Sequence, residues 1–149
     1  MSYDEANIRL WLRLLTSARL IEKRLQRGLA VEYATTLPRF DVLAALDRAD
    51  QPMAMGELSR ALLVSNGNVT PIVGALERDG HVLLQPGKAD RRKSLVSLTP
   101  SGRVHFAELA AAHHGWIDTM LSELALTTRE RLDTDLAALK TKLTEGSPL

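Results

Sequence analysis

The chain contains no cysteine. Disulfides, thiolate nucleophiles and thiol-oxidation sensing are therefore excluded, and the commonest ligand of structural zinc is missing. No apolar run approaches the roughly 20 residues that span a bilayer, and residues 1–5 do not read as a secretion signal. A cytoplasmic protein without membrane contact is expected. Aromatic residues make up only 4%, too few for a platform that stacks single-stranded bases. A large charge of one sign is lacking too: the net charge is +1, so any affinity for nucleic acid must come from local patches. There is no G-x-S-x-G, no phosphate loop and no dinucleotide fingerprint, so nothing spells out an enzyme or a cofactor. His105, His113 and His114 share one predicted helix without an adjacent acid to complete a metal set, and no metal is expected. With 149 residues and no internal repeat, a single domain over 1–149 is expected.

What is present centres on residues 55–98. Met55–Leu62 reads as a short helix burying Leu58, Ala61 and Leu62, poorly capped because Ala54 and Met55 occupy the capping slots. A second helix opens at Ser65, an expected N-cap whose hydroxyl would accept from the first turn. Val69, Ile72, Val73 and Leu76 follow at i, i+3, i+4 and i+7 and form a buried face. The opposite face carries Gly67, Thr70, Pro71 and Gly74, with Asn68 at its edge. Small amide and hydroxyl residues there suit close approach to another large surface better than the usual charged, solvated face. This is the layout of a helix-turn-helix whose second helix enters a major groove. Pro71 conflicts with a regular helix, so either the first turn is kinked or the helix begins only near Asn68. Asp79-Gly80 ends it, glycine taking the left-handed position.

Val82–Gln85 and Ser94–Leu98 have strand composition, broken by Pro86-Gly87. Between them Lys88, Arg91, Arg92 and Lys93 set four cations against one acid, Asp90. The tip is read as a wing lying along phosphates, with one arginine in the minor groove and Asp90 bracing Arg92 through a bidentate pair. Upstream, residues 3–30 form a long helix with Leu10, Leu14, Ile21 and Leu25 as one stripe, widened by Trp11, Leu15 and Ala18. Arg9, Arg13, Arg19, Lys23, Arg24 and Arg27 crowd its polar side. Pro38 suits the first turn of a helix that buries Phe40, Leu43 and Leu46. Downstream, Thr99-Pro100 starts a helix to about Leu124, and Thr127-Thr128-Arg129-Glu130 spells a capping box before a leucine helix.

These pieces, in this order, resemble the MarR family of winged-helix transcriptional regulators. The resemblance rests on LSRALLVSNGNVTPIVGALERDGHV, on Asp90-Arg91-Arg92 and on Leu98-Thr99-Pro100-Ser101-Gly102-Arg103, and it covers nearly the whole chain. It implies a mainly α fold with a small β-hairpin wing, a winged helix-turn-helix lobe at about 38–98, and a dimerisation platform of helices at about 3–30 and 100–145. It also implies a homodimer, usually a repressor, on pseudo-palindromic double-stranded DNA. Ile8, Leu12, Leu132, Leu136, Leu139 and Leu143 would then meet the second copy instead of lying exposed.

The expected DNA contacts are Ser65, Asn66, Asn68, Val69, Thr70 and Pro71, with Lys88, Asp90, Arg91, Arg92 and Lys93 on the wing. Twofold symmetry would place half-sites near 10 bp apart. A small effector is implied between platform and lobe, with Trp11, Arg13, Leu14, His113, Trp116 and Met120 as its expected lining. The opening RLWLRLLTSARLIE and TTLPRFDVLAAL are similar to members linked to aromatic acids or their coenzyme A thioesters. The alternative is a winged-helix module that binds protein instead of specific DNA.

Overall fold

The computed structural model describes residues 3–146; the remainder of the expected single domain, Pro148 included, lies outside the described residues. The chain divides into two compact units, one ending at His114 and one beginning at Gly115. The order is α1 (Glu5–Tyr33), α2 (Leu37–Ala49), β1 (Met53–Ala54), α3 (Met55–Leu62), α4 (Asn66–Arg78), β2 (Val82–Pro86), β3 (Ser94–Leu98), α5 (Pro100–Leu121) and α6 (Leu126–Glu145). The fold is the expected mainly α winged helix. No described helix is long and apolar enough to cross a membrane.

The core of the first unit is aliphatic. Leu29, Val42, Leu43, Leu58, Val69, Val73, Val96 and Leu109 are fully buried, drawn from α1 through α5 and from β3. Each fully buried side chain of this kind contributes about 1.5–3 kcal/mol. The sheet runs β1-β3-β2, antiparallel throughout, so β3 is the central strand. Val96 lies opposite both Met53 and Leu84. Strand β1 was not expected. Two residues carry no periodicity, and pairing with β3 alone defines them.

Several local expectations are corrected. Helix α1 starts at Glu5 with Asp4 as N-cap, whose carboxylate accepts from the Ala6 amide at 2.9 Å. It runs through Gly28 to Tyr33 and closes on Ala34 in the left-handed region. An interior glycine costs only about 1 kcal/mol, and burial of the adjacent Leu29 outweighs it. The stripe of α1 is buried only from Leu25 onward, while Leu10 and Trp11 stay more than half exposed. In α3, Ser59 is buried where Ala61 was expected, and Ala61 is exposed. The weak start of α3 is relieved by Glu57, whose carboxylate accepts from the Ala54 amide at 3.3 Å.

Ser65 holds the N-cap position of α4, but its hydroxyl makes no capping bond. Its carbonyl instead accepts from Asn68 and Val69. Helix α4 is regular from Asn66, so Pro71 lies inside it and the late start is ruled out. The Gly67 carbonyl consequently has no i+4 amide to accept from. Helix α5 ends at Leu121, short of Leu124. The N-cap of α6 is Ala125, not a threonine, so the capping box does not form. Arg129 holds that end instead, its amide on the Ala125 carbonyl and its Nε on that of Leu124.

Helix α4 closes as a Schellman motif. The Gly80 amide donates to Glu77 and the His81 amide to Leu76, with Gly80 at φ +79°. Helix α5 begins against this turn. The Thr99 hydroxyl donates to the Gly80 carbonyl and accepts from the Gly102 amide, and the Thr99 amide donates to the His81 carbonyl. The exit of α4 and the entry of α5 are thereby fixed together.

Candidate nucleic-acid interface

Helix α4 presents the expected small polar face. Ser65, Asn66, Gly67, Asn68, Thr70 and Pro71 are exposed, while Val69 and Val73 are sealed inside. Val69 is the core residue that its place on the buried face predicts, and only its expected DNA contact is corrected: with no exposed surface, its methyls cannot reach a thymine. Asn66 is partly spoken for, because its amide oxygen accepts from the Ser59 hydroxyl and braces α4 against α3. The Thr70 hydroxyl donates back to the Asn66 carbonyl at 2.9 Å, leaving its lone pairs outward. Asn68 and Ser65 are the exposed polar side chains best placed at the front of the helix.

The wing is a tight turn. Gly87 donates to the Lys93 carbonyl at 2.7 Å, and Lys93 donates to that of Asp90. A Cβ on Gly87 would meet the Asp90 carbonyl oxygen at 2.6 Å, so only glycine fits there. The Asp90 brace is real but not bidentate. One carboxylate oxygen accepts from the Arg92 amide at 3.0 Å and from Arg92 Nε at 3.4 Å. An Asx-type turn at the tip uses the second donor on the backbone, and the guanidinium ends stay free in solvent, 93% exposed. Lys88, Arg91 and Lys93 are likewise exposed.

A cleft of about 590 Å³ joins the two halves of this surface. Arg60 and Gly56 of α3, Thr70 of α4, and Arg92, Lys93 and Ser94 of the wing line it. Arg60 was missed from the sequence because it reads as an ordinary exposed helix residue. Only β1, by pairing Ala54 with Leu95, brings the start of α3 to the base of the wing. Three cations thus converge beside the recognition helix.

A second cleft, about 410 Å³, opens between α2 and α5 and is lined by Phe40, Asp41, Ala44, Asp47, Arg48, Phe106, His113 and His114. His113 stacks on Phe40 with ring centres 4.2 Å apart. Its Nδ1 is buried without a hydrogen-bond partner. Burial, then the neighbouring His114, lowers its pKa and favours the neutral ring. Of the expected effector residues, only His113 lies in this cleft. Trp11, Arg13 and Leu14 sit on α1, where Arg13 joins Ile8 and Leu12 in an open trough along the helix. Trp116 and Met120 belong to the second unit and are half-buried. Among the described residues no group of three or more His, Cys, Asp or Glu is placed to hold a metal.

Asp41 is the unusual member of the cleft. Partial desolvation by the packing around it, reinforced by Glu22, raises its carboxyl from 3.8 to about 6, although the residue as a whole stays exposed. A raised carboxyl pKa means the folded state favours the protonated form. That stabilisation is complete below 3.8 and is lost as the pH rises through about 6, leaving a destabilising carboxylate at neutrality. Asp41→Asn is therefore expected to raise the melting temperature near pH 7.5 by about 2–4 °C, after allowance for the solvated part of the side chain. The gain should vanish below about pH 4. Thermal melts of both proteins across that range check the sign.

The family model described as MarR family matches residues 35–93, from just before α2 to the end of the loop between β2 and β3. The chain is 42% identical over 105 residues to the transcriptional activatory protein BadR of Rhodopseudomonas palustris. That match takes in 69% of this chain and 59% of BadR, so a little over half of that relative's length is represented. Among solved structures, BldR from Sulfolobus solfataricus superposes with a TM-score of 0.83 at 23% identity, covering 95% of this chain and 99% of that one. AbsC, a MarR family transcriptional regulator from Streptomyces coelicolor, superposes at 0.82 and 20% identity, covering 98% and 99%. These relatives are transcriptional regulators and not enzymes, and over residues 35–93 the chain belongs to the MarR family.

Proposed function

We propose that the chain is a homodimeric transcriptional regulator that binds pseudo-palindromic duplex DNA and answers to a small aromatic ligand. The observation that carries the DNA reading is the convergence of Arg60, Arg92 and Lys93 on one cleft beside the small, exposed front of α4. Phosphates passing through that cleft fix the register, and Ser65 and Asn68 read base edges, asparagine suiting the adenine edge. Lys88 and Arg91 extend the grip along the backbone. A wing with four cations and one acid at its tip, beside a small polar helix face, favours DNA over a protein partner. Such a regulator works in the cytoplasm, where its DNA is.

The α2–α5 cleft is the effector site in this reading. A planar acid can lie against its aromatic wall with its carboxylate toward Arg48 and a ring donor toward Asp41. The destabilising Asp41 carboxylate supports this: a group that weakens the free protein is kept where an occupant can offset its cost. An effector changes DNA affinity only by its preference for one arrangement of the lobes. BadR is named an activator, so the direction of control is proposed as ligand-dependent regulation instead of repression alone.

The test is selection of bound duplexes from a random-sequence library, followed by anisotropy titrations at several salt concentrations. Affinity should fall steeply with salt, and Arg92→Ala should weaken all sequences alike, lowering the salt slope by about 1. Asn68→Ala should instead relax preference at one position, worth about 1–3 kcal/mol. Salt-insensitive binding, or an Arg92→Ala protein indistinguishable from wild type, overturns the assignment.

A further inference from the structure

Two imidazoles lie face to face where the recognition helix hands over to the wing. His81 directly follows the Schellman turn of α4, and His105 stands on α5. Their ring centres are 4.0 Å apart and their planes 6° from parallel. We propose that this stack is a proton-sensitive clasp: while both rings are neutral it holds the end of the recognition helix and the start of β2 against α5, and acidification releases it.

The geometry around His81 makes it a clasp and not an incidental contact. Its amide closes α4 on Leu76, and its carbonyl accepts from the Thr99 amide at the entry of α5. Gly102 leaves no room between that carbonyl and α5. The residue is bonded on one side to the recognition helix and on the other to α5, and its ring is the remaining contact with His105. His81 Nδ1 is buried and has no hydrogen-bond partner. A proton added there has nothing to donate to, and protonating both rings sets two like charges about 4 Å apart.

Charged groups facing the pair act in both directions. Glu108, on α5, and Asp79, at the end of α4, favour a protonated His105. Burial first and His81 second oppose it, and they prevail, holding His105 below its usual 6.5. A depressed folded value means that the clasp is complete above about pH 6.5 and is lost as the pH falls through that lower value. Simple electrostatics predicts the opposite for DNA binding, since added positive charge strengthens a grip on phosphate. The sign of the pH effect therefore separates the two.

The effect on DNA rests on the proposed function; the clasp itself does not. The experiment begins with the wild-type protein, following each imidazole by NMR as the pH is lowered. His105 is expected to titrate below its usual range. The wild-type melting temperature should drop by about 2–4 °C between about pH 7.5 and about pH 5.5 through this pair. That drop should shrink equally in His81→Gln, His105→Gln and the double variant, while His113→Gln removes only the separate share of the acid-side loss that its own lowered pKa contributes. Affinity for a duplex recovered by the selection above should weaken severalfold over the same range in wild type only. A His105 that titrates at or above its usual value, an acid-side loss unchanged in both single variants, or tighter duplex binding on acidification each overturn the proposal. If neither variant folds, the wild-type titration decides it. If no duplex is bound at any pH, the DNA reading fails, and the titration and melting curves still judge the clasp.

Discussion

Replacing Gly102 by alanine is expected to remove about 3–5 kcal/mol of stability, lowering the melting temperature by roughly 10 °C. Gly102 is the third residue of α5 and is buried. A Cβ there would overlap the His81 carbonyl, which is backbone and cannot swing aside. Moving that carbonyl breaks its bond from the Thr99 amide. Moving Gly102 instead breaks the bond from its own amide to the Thr99 hydroxyl, 2.9 Å long, and with it the cap of α5. Overpacking of this kind costs about 1–3 kcal/mol or more, and each lost hydrogen bond adds about 1. Gly115, farther along the same helix, is the control, since nothing lies within 4 Å of its Cβ position. There alanine should stabilise by about 1 kcal/mol through helix propensity alone. Thermal melts of the two variants should move in opposite directions; a Gly102→Ala protein as stable as wild type would show that the junction is not tightly packed.

The same junction shows what could be read in advance. Gly80 as a left-handed stop and Thr99-Pro100 as a helix start are local signals, and both hold because their physics involves only neighbouring residues. The bounds of α3 and β3 agree with the sequence as well, since each is a short run with its own periodicity or strand composition. Distant partners were invisible. β1 exists only because Met53 and Ala54 find β3, and without it Arg60 has no reason to belong with Arg92. Nothing in the sequence singles out Asp41, because its desolvation and its repulsion from Glu22 come from packing. Asn66 stays exposed on the expected face, but its amide oxygen also braces α4 against Ser59, and the buried Val69 has no surface left for the DNA contact expected of it. Helical periodicity places a residue on a face, but it does not say which partner that face meets.

That ambiguity is sharpest for the apolar stripes, and it leads to the second large expected effect. In α6, Leu132, Leu136, Leu139 and Leu143 recur at i, i+4, i+7 and i+11, and all remain 40–73% exposed. Ile8 and Leu12 of α1 are each about half exposed. Soluble monomers rarely leave such stripes open, and leucines at this spacing fit a partner helix. In the proposed dimer these residues are the interface. Leu136→Glu with Leu139→Glu should then convert the dimer to a monomer while leaving helical content intact, because neither side chain fills the core of its own unit.

The loss should propagate to DNA. A dimer engages its second half-site intramolecularly, and that linkage raises affinity by about 10²–10⁴ over one half-site. The double variant should lose affinity for the selected duplex within that range and retain weak, salt-sensitive binding through one wing. Sedimentation equilibrium reads the first effect and anisotropy the second. A double variant that stays dimeric would remove these leucines from the interface. A wild-type protein that is monomeric, yet binds the duplex as tightly as a dimer should, would remove the need for an interface at all.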